Sequence, residues 1–399
     1  MKKMRYTANC YIRNLSILVA VFSLSACSYI PWFGDDEVVE IEVREPSELV
    51  EFNQEVVIQQ NWSVSAGSES EKYIQIQPFF FEDKFAFVDT QGNLSVHDLN
   101  NGRQVWRQNI AENASAGVGG NSDVLVIGTD EGMIIAAHSN DGLPAWTADV
   151  GSEIISIVGA SNSVAIVRTN NNRILAYDLV AGEKLWTVTQ TPPALTLRGG
   201  GIPLVLDGIV YAGMDNGKVI AISIESGNVI WEARVSVPSG RSELERLVDV
   251  DGRLAADETN IYASSYHGRV VAINRTNGRI AWARDIASVS GVAADENLVY
   301  VSDRDDNVWA LEKETGVSVW KQDKLLYREL SAPVAQSAAI LVGDYDGYLH
   351  ALSKEDGRIT GRTNLSKDSL YTSPASTAAR AYFIDINGRL ASYSVVAEK

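Results

Sequence analysis

The sequence is poor in the residues that most enzymes and metalloproteins use for their chemistry. Its 399 residues include only two cysteines, Cys10 and Cys27, and four histidines. None of the histidines stands at ligand spacing from another histidine or from a cysteine, so the pattern favours structural histidines over a zinc site. The sequence also lacks a GxGxxG dinucleotide motif, a phosphate-binding loop and a GxSxG nucleophile elbow. We therefore predict no catalytic residues, no metal and no cofactor.

The chain also lacks an apolar stretch long enough to span a bilayer, which takes about 20 residues. Residues 15–24 form a short, largely apolar run. The basic residues that precede it are Lys2, Lys3, Arg5 and Arg13. A basic segment followed by a short apolar run is typical of a secretory signal peptide, which we predict at residues 1–26.

The end of this segment carries a second signal. The sequence Leu24-Ser25-Ala26-Cys27 resembles the lipobox of bacterial lipoproteins, which implies cleavage before Cys27 and acylation of that residue with palmitate. The alternative is an ordinary signal peptide that contains a cysteine. Ser28, in place of an aspartate, resembles the class sorted to the outer membrane, so we expect a lipid anchor on the periplasmic side of that membrane. With Cys10 removed and Cys27 acylated, no disulfide is expected.

The sequence also has fewer basic residues than acidic ones. The chain has 34 Lys and Arg against 51 Asp and Glu, and loss of the four basic residues of the signal takes the formal net charge from −17 to −21. Such acidity argues against nucleic acid as a partner and against direct adhesion to anionic lipid. Residues 27–55 contain proline and an acidic run without strong periodicity, which predicts a tether.

What the sequence does contain is an internal repeat of about 40 residues. Each copy has a turn residue, a small residue four positions later, a glycine at ten and usually a tryptophan at fourteen, as in Gly217, Ala221, Gly227 and Trp231. Seven copies keep this spacing; they begin at Gly92, Gly132, Asn172, Gly217, Gly268, Asp306 and Gly347. Apolar runs around each turn predict a hairpin, and the flanking strands make each copy a four-stranded antiparallel meander. Such units bury their faces only by stacking.

The ends of the chain indicate how the stack closes. An eighth copy begins at Gly388, but its tryptophan would fall beyond Lys399, whereas Trp62 has no turn glycine before it. The segment around Trp62 is therefore predicted to supply the missing outer strand, which removes an exposed sheet edge. The predicted fold is all-β: an eight-bladed β-propeller of four-stranded antiparallel blades over residues 56–399. The tryptophans predicted to pack between blades are Trp62, Trp106, Trp146, Trp186, Trp231, Trp282 and Trp320.

The repeat resembles that of the quinoprotein propellers, for example from Ala310 through Thr315-Gly316 to Trp320. One branch of that superfamily comprises quinone-dependent dehydrogenases; another is a lipoprotein subunit of the machinery that assembles outer-membrane β-barrels. The dehydrogenases have longer chains, a calcium site and often a vicinal disulfide, so the lipobox and the short chain favour the second branch. This resemblance implies a non-enzymatic scaffold that binds the periplasmic domains of the central barrel subunit. Unfolded outer-membrane proteins are possible further clients.

Two irregular spacings indicate where a partner would dock. The distance from a tryptophan to the next turn position is ordinarily 26 residues, but it is 31 after Trp186 and 37 after Trp231. In the branch that the chain resembles, these loops face the barrel subunit. We therefore predict partner binding by residues of the two insertions, namely Leu195, Leu197, Arg198, Asp249 and Asp251. The alternative is that the leucines face the core and that the aspartates lie in solvated turns.

Two other functions remain open from the sequence. A dehydrogenase-like propeller would bind a quinone together with calcium. A periplasmic sensor would instead bind cell-wall glycan through a face of the ring.

Overall fold

Thirty-two β-strands make up the regular secondary structure of the described residues. The computed structural model describes residues 44–65, 76–159, 163–197, 199–370 and 374–398. The predicted signal peptide, Cys27, most of the predicted tether and Arg198 lie outside these ranges. Within them, no helix is long and apolar enough to cross a membrane.

The strands fall into eight sheets, which we number as blades 1 to 8. The chain begins with β1 (Val56–Ser65), which belongs to blade 8. Blades 1 and 2 contain β2 (Phe79–Phe81), β3 (Lys84–Val88), β4 (Asn93–Asp98), β5 (Gln104–Asn109), β6 (Ala114–Gly120), β7 (Val124–Thr129), β8 (Met133–His138) and β9 (Pro144–Asp149). Blades 3 and 4 contain β10 (Ile154–Gly159), β11 (Val164–Thr169), β12 (Arg173–Asp178), β13 (Lys184–Thr189), β14 (Leu204–Leu206), β15 (Ile209–Gly213), β16 (Lys218–Ser223) and β17 (Val229–Arg234).

The second half of the ring repeats the arrangement. Blades 5 and 6 contain β18 (Ala255–Ala256), β19 (Asn260–Ser264), β20 (Val270–Asn274), β21 (Ile280–Arg284), β22 (Val292–Ala294), β23 (Leu298–Ser302), β24 (Val308–Glu312) and β25 (Ser318–Gln322). Blade 7 contains β26 (Val334–Ala335), β27 (Ile340–Gly343), β28 (Tyr348–Leu352) and β29 (Ile359–Asn364). Blade 8 adds β30 (Ala375–Ser376), β31 (Ala381–Ile384) and β32 (Arg389–Ala397) to β1.

The order of strands in the sheets confirms the predicted propeller and its closure. Blades 1 to 7 are antiparallel meanders in chain order, whereas the order in blade 8 is β1-β32-β31-β30. The N-terminal strand therefore forms the outer edge of the last blade, with Trp62 opposite Ser392. Strands from the two ends of the chain thus share one sheet, and the stack becomes a ring.

The hydrophobic core lies between blades and not within any single blade. The middle strands are covered on both faces, so β7 is buried along its whole length, whereas the outer strand β9 is mostly exposed. One cluster joins Val126 and Ala136 of blade 2 to Ala165 and Leu175 of blade 3. Each blade therefore depends on its neighbours for the burial of its apolar surface.

In seven of the eight blades, a tryptophan of the outer strand lies on a glycine of the next blade. In each pair the glycine has φ between 68° and 74°, and a Cβ built on it would lie 2.4–3.0 Å from the indole ring. Each indole Nε1 also donates to a backbone carbonyl of that next blade, at 2.8–3.0 Å. The pairs are Trp62–Gly102, Trp106–Gly142, Trp146–Gly182, Trp186–Gly227, Trp231–Gly278, Trp282–Gly316 and Trp320–Gly357.

The junction between blades 7 and 8 is built differently, since Gly361 stands where the repeat has tryptophan. A Cβ on Gly361 would lie 2.7 Å from the carbonyl oxygen of Val56, so here the backbones of two blades are in close contact. The N–H of Glu55 donates to the carbonyl of Thr360 at 2.8 Å. Its carboxylate accepts two hydrogen bonds from Arg358, at 3.1 and 2.7 Å. Backbone pairing thus replaces the indole contact.

Residues just before β1 lie against blade 7, although they belong to the predicted tether. The carbonyl of Ser47 accepts from Nη1 of Arg328 at 2.9 Å, and the carbonyl of Val50 accepts from Nη1 of Arg362 at 3.1 Å. The guanidinium of Arg362 also lies 4.9 Å from the ring centroid of Phe52. Because Phe52 packs on the core of blades 6 and 7, this part of the segment belongs to the ring.

The tryptophan–glycine contact is tested by comparing Gly278→Ala with Gly151→Ala. Both glycines have positive φ, 70° and 67°, so alanine strains the two backbones equally. A Cβ at Gly278 would lie 2.8 Å from Trp231, whereas a Cβ at Gly151 would have no neighbouring atom of the described residues within 4 Å. We expect Gly278→Ala to lower the free energy of unfolding by about 1–3 kcal/mol more than Gly151→Ala does. Urea unfolding of the purified ring measures both, and equal losses would contradict the packing argument.

Candidate docking site

The two insertions predicted from the repeat spacing meet at one end of the ring. In each blade, the turn between the second and third strands lies at the same end as the connection to the next blade. In blade 3, for example, the N–H of Gln190 donates to the carbonyl of Asn172 at 3.0 Å. We call this end the long-loop face, after its two longest connections, residues 190–203 and 235–254.

The first insertion presents apolar side chains at this face. Leu195 is 40% exposed, whereas Leu197 is half-buried. Neither leucine belongs to a strand. The N–H of Leu197 donates to Oδ1 of Asp249 at 3.1 Å, so the first insertion is bonded directly to the second. The structure thus joins one predicted residue of each insertion, while Arg198 lies outside the described residues.

The two predicted aspartates lie beneath the surface. Asp249 is 1% exposed and Asp251 is 5% exposed, so neither lies in a solvated turn. Oδ1 of Asp251 accepts from Nη2 of Arg168 at 3.2 Å, and the same Nη2 donates to Oδ1 of Asp215. Nη1 of Arg168 donates to the carbonyl of Gly201 at 3.1 Å. This fully buried arginine of blade 3 therefore joins the first insertion, the second insertion and blade 4.

Arg168 was not among the predicted site residues, although the repeat marks it. It lies near the end of the second strand of its blade, four residues before Asn172, the turn residue with which its copy of the repeat begins. Residues at this position in the other blades are small or apolar: Val88, Gly128, Gly213, Ser264, Ser302, Gly343 and Ile384. A charged residue at a position that the other blades fill with small or apolar residues departs from the repeat, and this difference can be recognised in the sequence.

Asp215 was missed for a similar reason. Most turns begin with a side chain that accepts hydrogen bonds from the turn backbone, as Asp344 does from the N–H groups of Asp346 and Tyr348. In blade 4 that first position is Met214, which is fully buried. The aspartate therefore stands one residue later, and its carboxylate reaches Arg168 instead of its own turn.

The cluster holds three carboxylates and one guanidinium. Carboxylate oxygens of Asp215, Asp249 and Asp251 lie within 4.8 Å of one another, a spacing that could hold a cation. Arg168 already donates hydrogen bonds to two of them, so the arrangement is a buried cluster of carboxyl groups around one guanidinium. Burial, with the neighbouring aspartates, raises the pKa of Asp249 to about 6 and the pKa of Asp251 to about 8.

The glycines at the end of the first insertion allow this close packing. A Cβ on Gly199 would lie 2.4 Å from Oδ2 of Asp251, and one on Gly201 would lie 2.9 Å from Nη1 of Arg168. The chain can pass over the charged cluster only because these positions lack side chains. The cluster therefore determines the path of the loop that displays Leu195.

The raised pKa values predict a pH dependence of stability. The native state keeps a proton on Asp251 that the unfolded chain, with a carboxyl pKa near 4, has released. Stability attributable to this group therefore falls as pH rises toward 8, by about 2 kcal/mol between pH 6.5 and 8.5. In the Asp251→Asn variant, this decrease of the free energy of unfolding with pH should vanish. Urea unfolding at several pH values measures it, and an unchanged slope in the variant would contradict the assignment.

Removal of the guanidinium should be costly. In Arg168→Met the side chain keeps a similar length, but buried Asp215 loses its cation and Asp251 loses a hydrogen-bond donor. Breaking one side of a buried ion pair typically destabilises a protein by about 3–5 kcal/mol. We expect a loss of this size in urea unfolding. Arg107→Met is a control, because Arg107 also pairs with a turn aspartate, at 3.0 Å, but its side chain is 39% exposed. Similar losses in both variants would contradict the special role of burial.

Comparison with known proteins places the chain in a family. A family model described as outer membrane protein assembly factor BamB matches residues 90–322. A protein of that name from Pseudomonas aeruginosa is 41% identical, over 88% of this chain and 92% of the relative. The Escherichia coli K12 protein of the same name is 31% identical, over 90% and 93% of the two chains.

Solved structures agree with this placement. BamB from Moraxella catarrhalis superposes with a TM-score of 0.77 at 27% identity, and the match covers 85% of this chain and all of that one. A quinohemoprotein alcohol dehydrogenase from Comamonas testosteroni superposes with a TM-score of 0.67 at 12% identity, which shows a shared fold alone. The match of the family model, together with relatives over most of the chain, shows that the protein belongs to the outer membrane protein assembly factor BamB family.

Proposed function

We propose that this protein is a non-enzymatic scaffold in the assembly of outer-membrane β-barrel proteins, and that its long-loop face binds the periplasmic domains of the central barrel subunit. Relatives over most of the chain carry the name of an outer membrane protein assembly factor. The likeness to quinohemoprotein dehydrogenases concerns the fold alone, so it supports no catalytic role.

One observation carries the choice of surface. Leu195 is exposed on a loop that is held from below by a hydrogen bond to Asp249 and by the buried Arg168 cluster. An apolar side chain on a loop that is already held in place loses little conformational entropy on binding, which favours affinity. Leu195, Leu197 and Arg198 would then contact the partner.

The aspartates have a different part in this proposal. Asp249 and Asp251 are buried, so they act as positioning residues that hold the first insertion in place. Their loss would weaken binding through the loop and not through a lost contact with the partner. A change at either residue should therefore lower folding stability as well as affinity.

We further propose that a lipid on Cys27 keeps this face near the outer membrane. Ser47 is bound by Arg328, in the connection between blades 6 and 7, which also lies on the long-loop face. Cys27 precedes Ser47 by 20 residues, which can span at most about 70 Å of extended chain. Such a tether would leave the ring at the end where the partner is proposed to bind.

The docking surface is tested by Leu195→Ala, with Leu143→Ala as its control. Leu143 is 57% exposed and lies in a turn between β8 and β9, at the opposite end of the ring. We expect Leu195→Ala to weaken capture of the purified periplasmic domains of the barrel subunit about 10-fold, because a buried apolar contact is lost. The control should bind like the wild type, and both variants should unfold at nearly the wild-type urea concentration.

Two results would contradict the proposal. One is equal capture by Leu195→Ala and Leu143→Ala. The other is a large loss of folding stability in Leu195→Ala, which would identify the leucine as a core residue. Recovery of a glycan or of a respiratory chain, in place of assembly subunits, from native membranes would favour the other functions.

A further inference from the structure

A groove lies on the long-loop face between the two insertions. It has a volume of about 460 Å³, within the range of sites that hold small ligands or short segments of chain. One wall is formed by residues 190–195 of the first insertion, and the other by Pro238, Glu243 and Arg246 of the second. Asn216, Lys218 and Arg234 of blade 4 line the space between these walls.

The walls of the groove are stiff and partly apolar. Pro192 and Pro193 line one side and Pro238 lines the other, and proline holds its φ near −65°. Exposed Leu195 adds an apolar side chain at the same wall. A ligand that occupied the groove would therefore meet a largely preformed surface.

Three cationic side chains and one acidic side chain line the groove. Lys218 pairs with Glu232 at 2.6 Å. Arg234 and Arg246 are exposed, and neither guanidinium lies within 4 Å of a carboxylate in the part of the chain that the structure describes, although the charge of Arg234 also acts on Glu232. Glu243 is the one acidic side chain among the lining residues. This excess of cations stands out in a chain with a formal net charge of −17.

We propose that this groove binds an extended acidic segment of a protein partner. Guanidinium groups bind carboxylates through paired hydrogen bonds, so Arg234 and Arg246 suit aspartate or glutamate side chains. The prolines and Leu195 suit an apolar residue next to those acids. The inference rests on the proposed function, since Leu195 belongs to both surfaces, and it adds the charge that the partner presents there.

The rest of the molecule favours a protein over a membrane as the source of the negative charge. This acidic protein is repelled as a whole by an anionic lipid surface. A single acidic segment of chain can instead enter the groove, where it lies close to the arginines and is screened from most of the protein's other charges. The free arginines would still attract acids locally. Binding should therefore weaken as salt is added, because both side chains are exposed.

The groove is tested with the double variant Arg234→Glu/Arg246→Glu. Its matched control is Lys184→Glu/Arg279→Glu, which changes the net charge by the same amount. Lys184 and Arg279 are exposed, and both lie beside turns between third and fourth strands, at the opposite end of the ring. All four side chains are on the surface, so both variants should unfold like the wild type.

Two probes are used with each variant. The first is a fluorescein-labelled octapeptide of alternating glutamate and leucine, compared with one of alternating lysine and leucine. The second is the purified periplasmic part of the barrel subunit. We expect the wild type to prefer the acidic peptide and to bind it at least 10-fold more weakly in 300 mM NaCl than in 50 mM NaCl. The Arg234→Glu/Arg246→Glu variant should bind the acidic peptide more weakly than the wild type by a similar factor. The control variant should bind like the wild type.

The outcomes separate this inference from the proposed function. Equal binding of both peptides, or binding unaffected by Arg234→Glu/Arg246→Glu, would overturn the acidic ligand even if Leu195→Ala still weakened capture of the barrel subunit. Arginine-dependent binding of the acidic peptide, with barrel-subunit capture unaffected by Leu195→Ala, would support the groove and overturn the proposed docking surface at Leu195. Arginine-dependent binding to vesicles of phosphatidylglycerol, without peptide binding, would also overturn the inference.

Discussion

The contact between an indole ring and a glycine of the next blade is the interaction on which this fold depends. A four-stranded sheet of this size has two apolar faces, so it is stable only when both neighbours cover it. The glycine at the turn has positive φ and no side chain, so the ring of Trp231 can lie directly on Gly278. The indole Nε1 of Trp231 donates to the carbonyl of Arg275 in the same neighbouring blade. Seven such contacts join the blades in series. The eighth junction uses backbone pairing beside Val56 instead, at the point where the two ends of the chain meet.

A regular ring is a scaffold, and its departures from regularity distinguish one face from the other. Two connections are longer than the rest, and both are held by one arginine from the preceding blade. Arg168 stands where other blades have small or apolar residues, so its charge has no counterpart elsewhere in the repeat. The cost of burying it is offset by Asp215 and Asp251, which come from other parts of the ring. Both long loops are therefore anchored by buried polar contacts, although neither contains a strand.

Apolar contact and charge act together in the proposed docking surface. Leu195 lies at the edge of the groove that also contains Arg234 and Arg246. An apolar contact supplies affinity, and the free guanidinium groups select the sign of the partner. The acidic remainder of the protein keeps nonspecific anions away, so the positive groove is a local exception and not part of a general basic surface.

Local signals in the sequence were sufficient for the blade count, the turn positions, the tryptophan spacing and closure by the strand around Trp62, because these follow from a periodic pattern within about 40 residues. The positions of both insertions could be read in the same way. The environment of Asp249 and Asp251 could not, since Asp251 meets an arginine 83 residues earlier in the chain. Ion pairs over such distances leave no periodic trace. The sequence by itself thus determined the ring, and only the tertiary structure decided that the aspartates are buried supports, because burial depends on which blades the closed ring brings together.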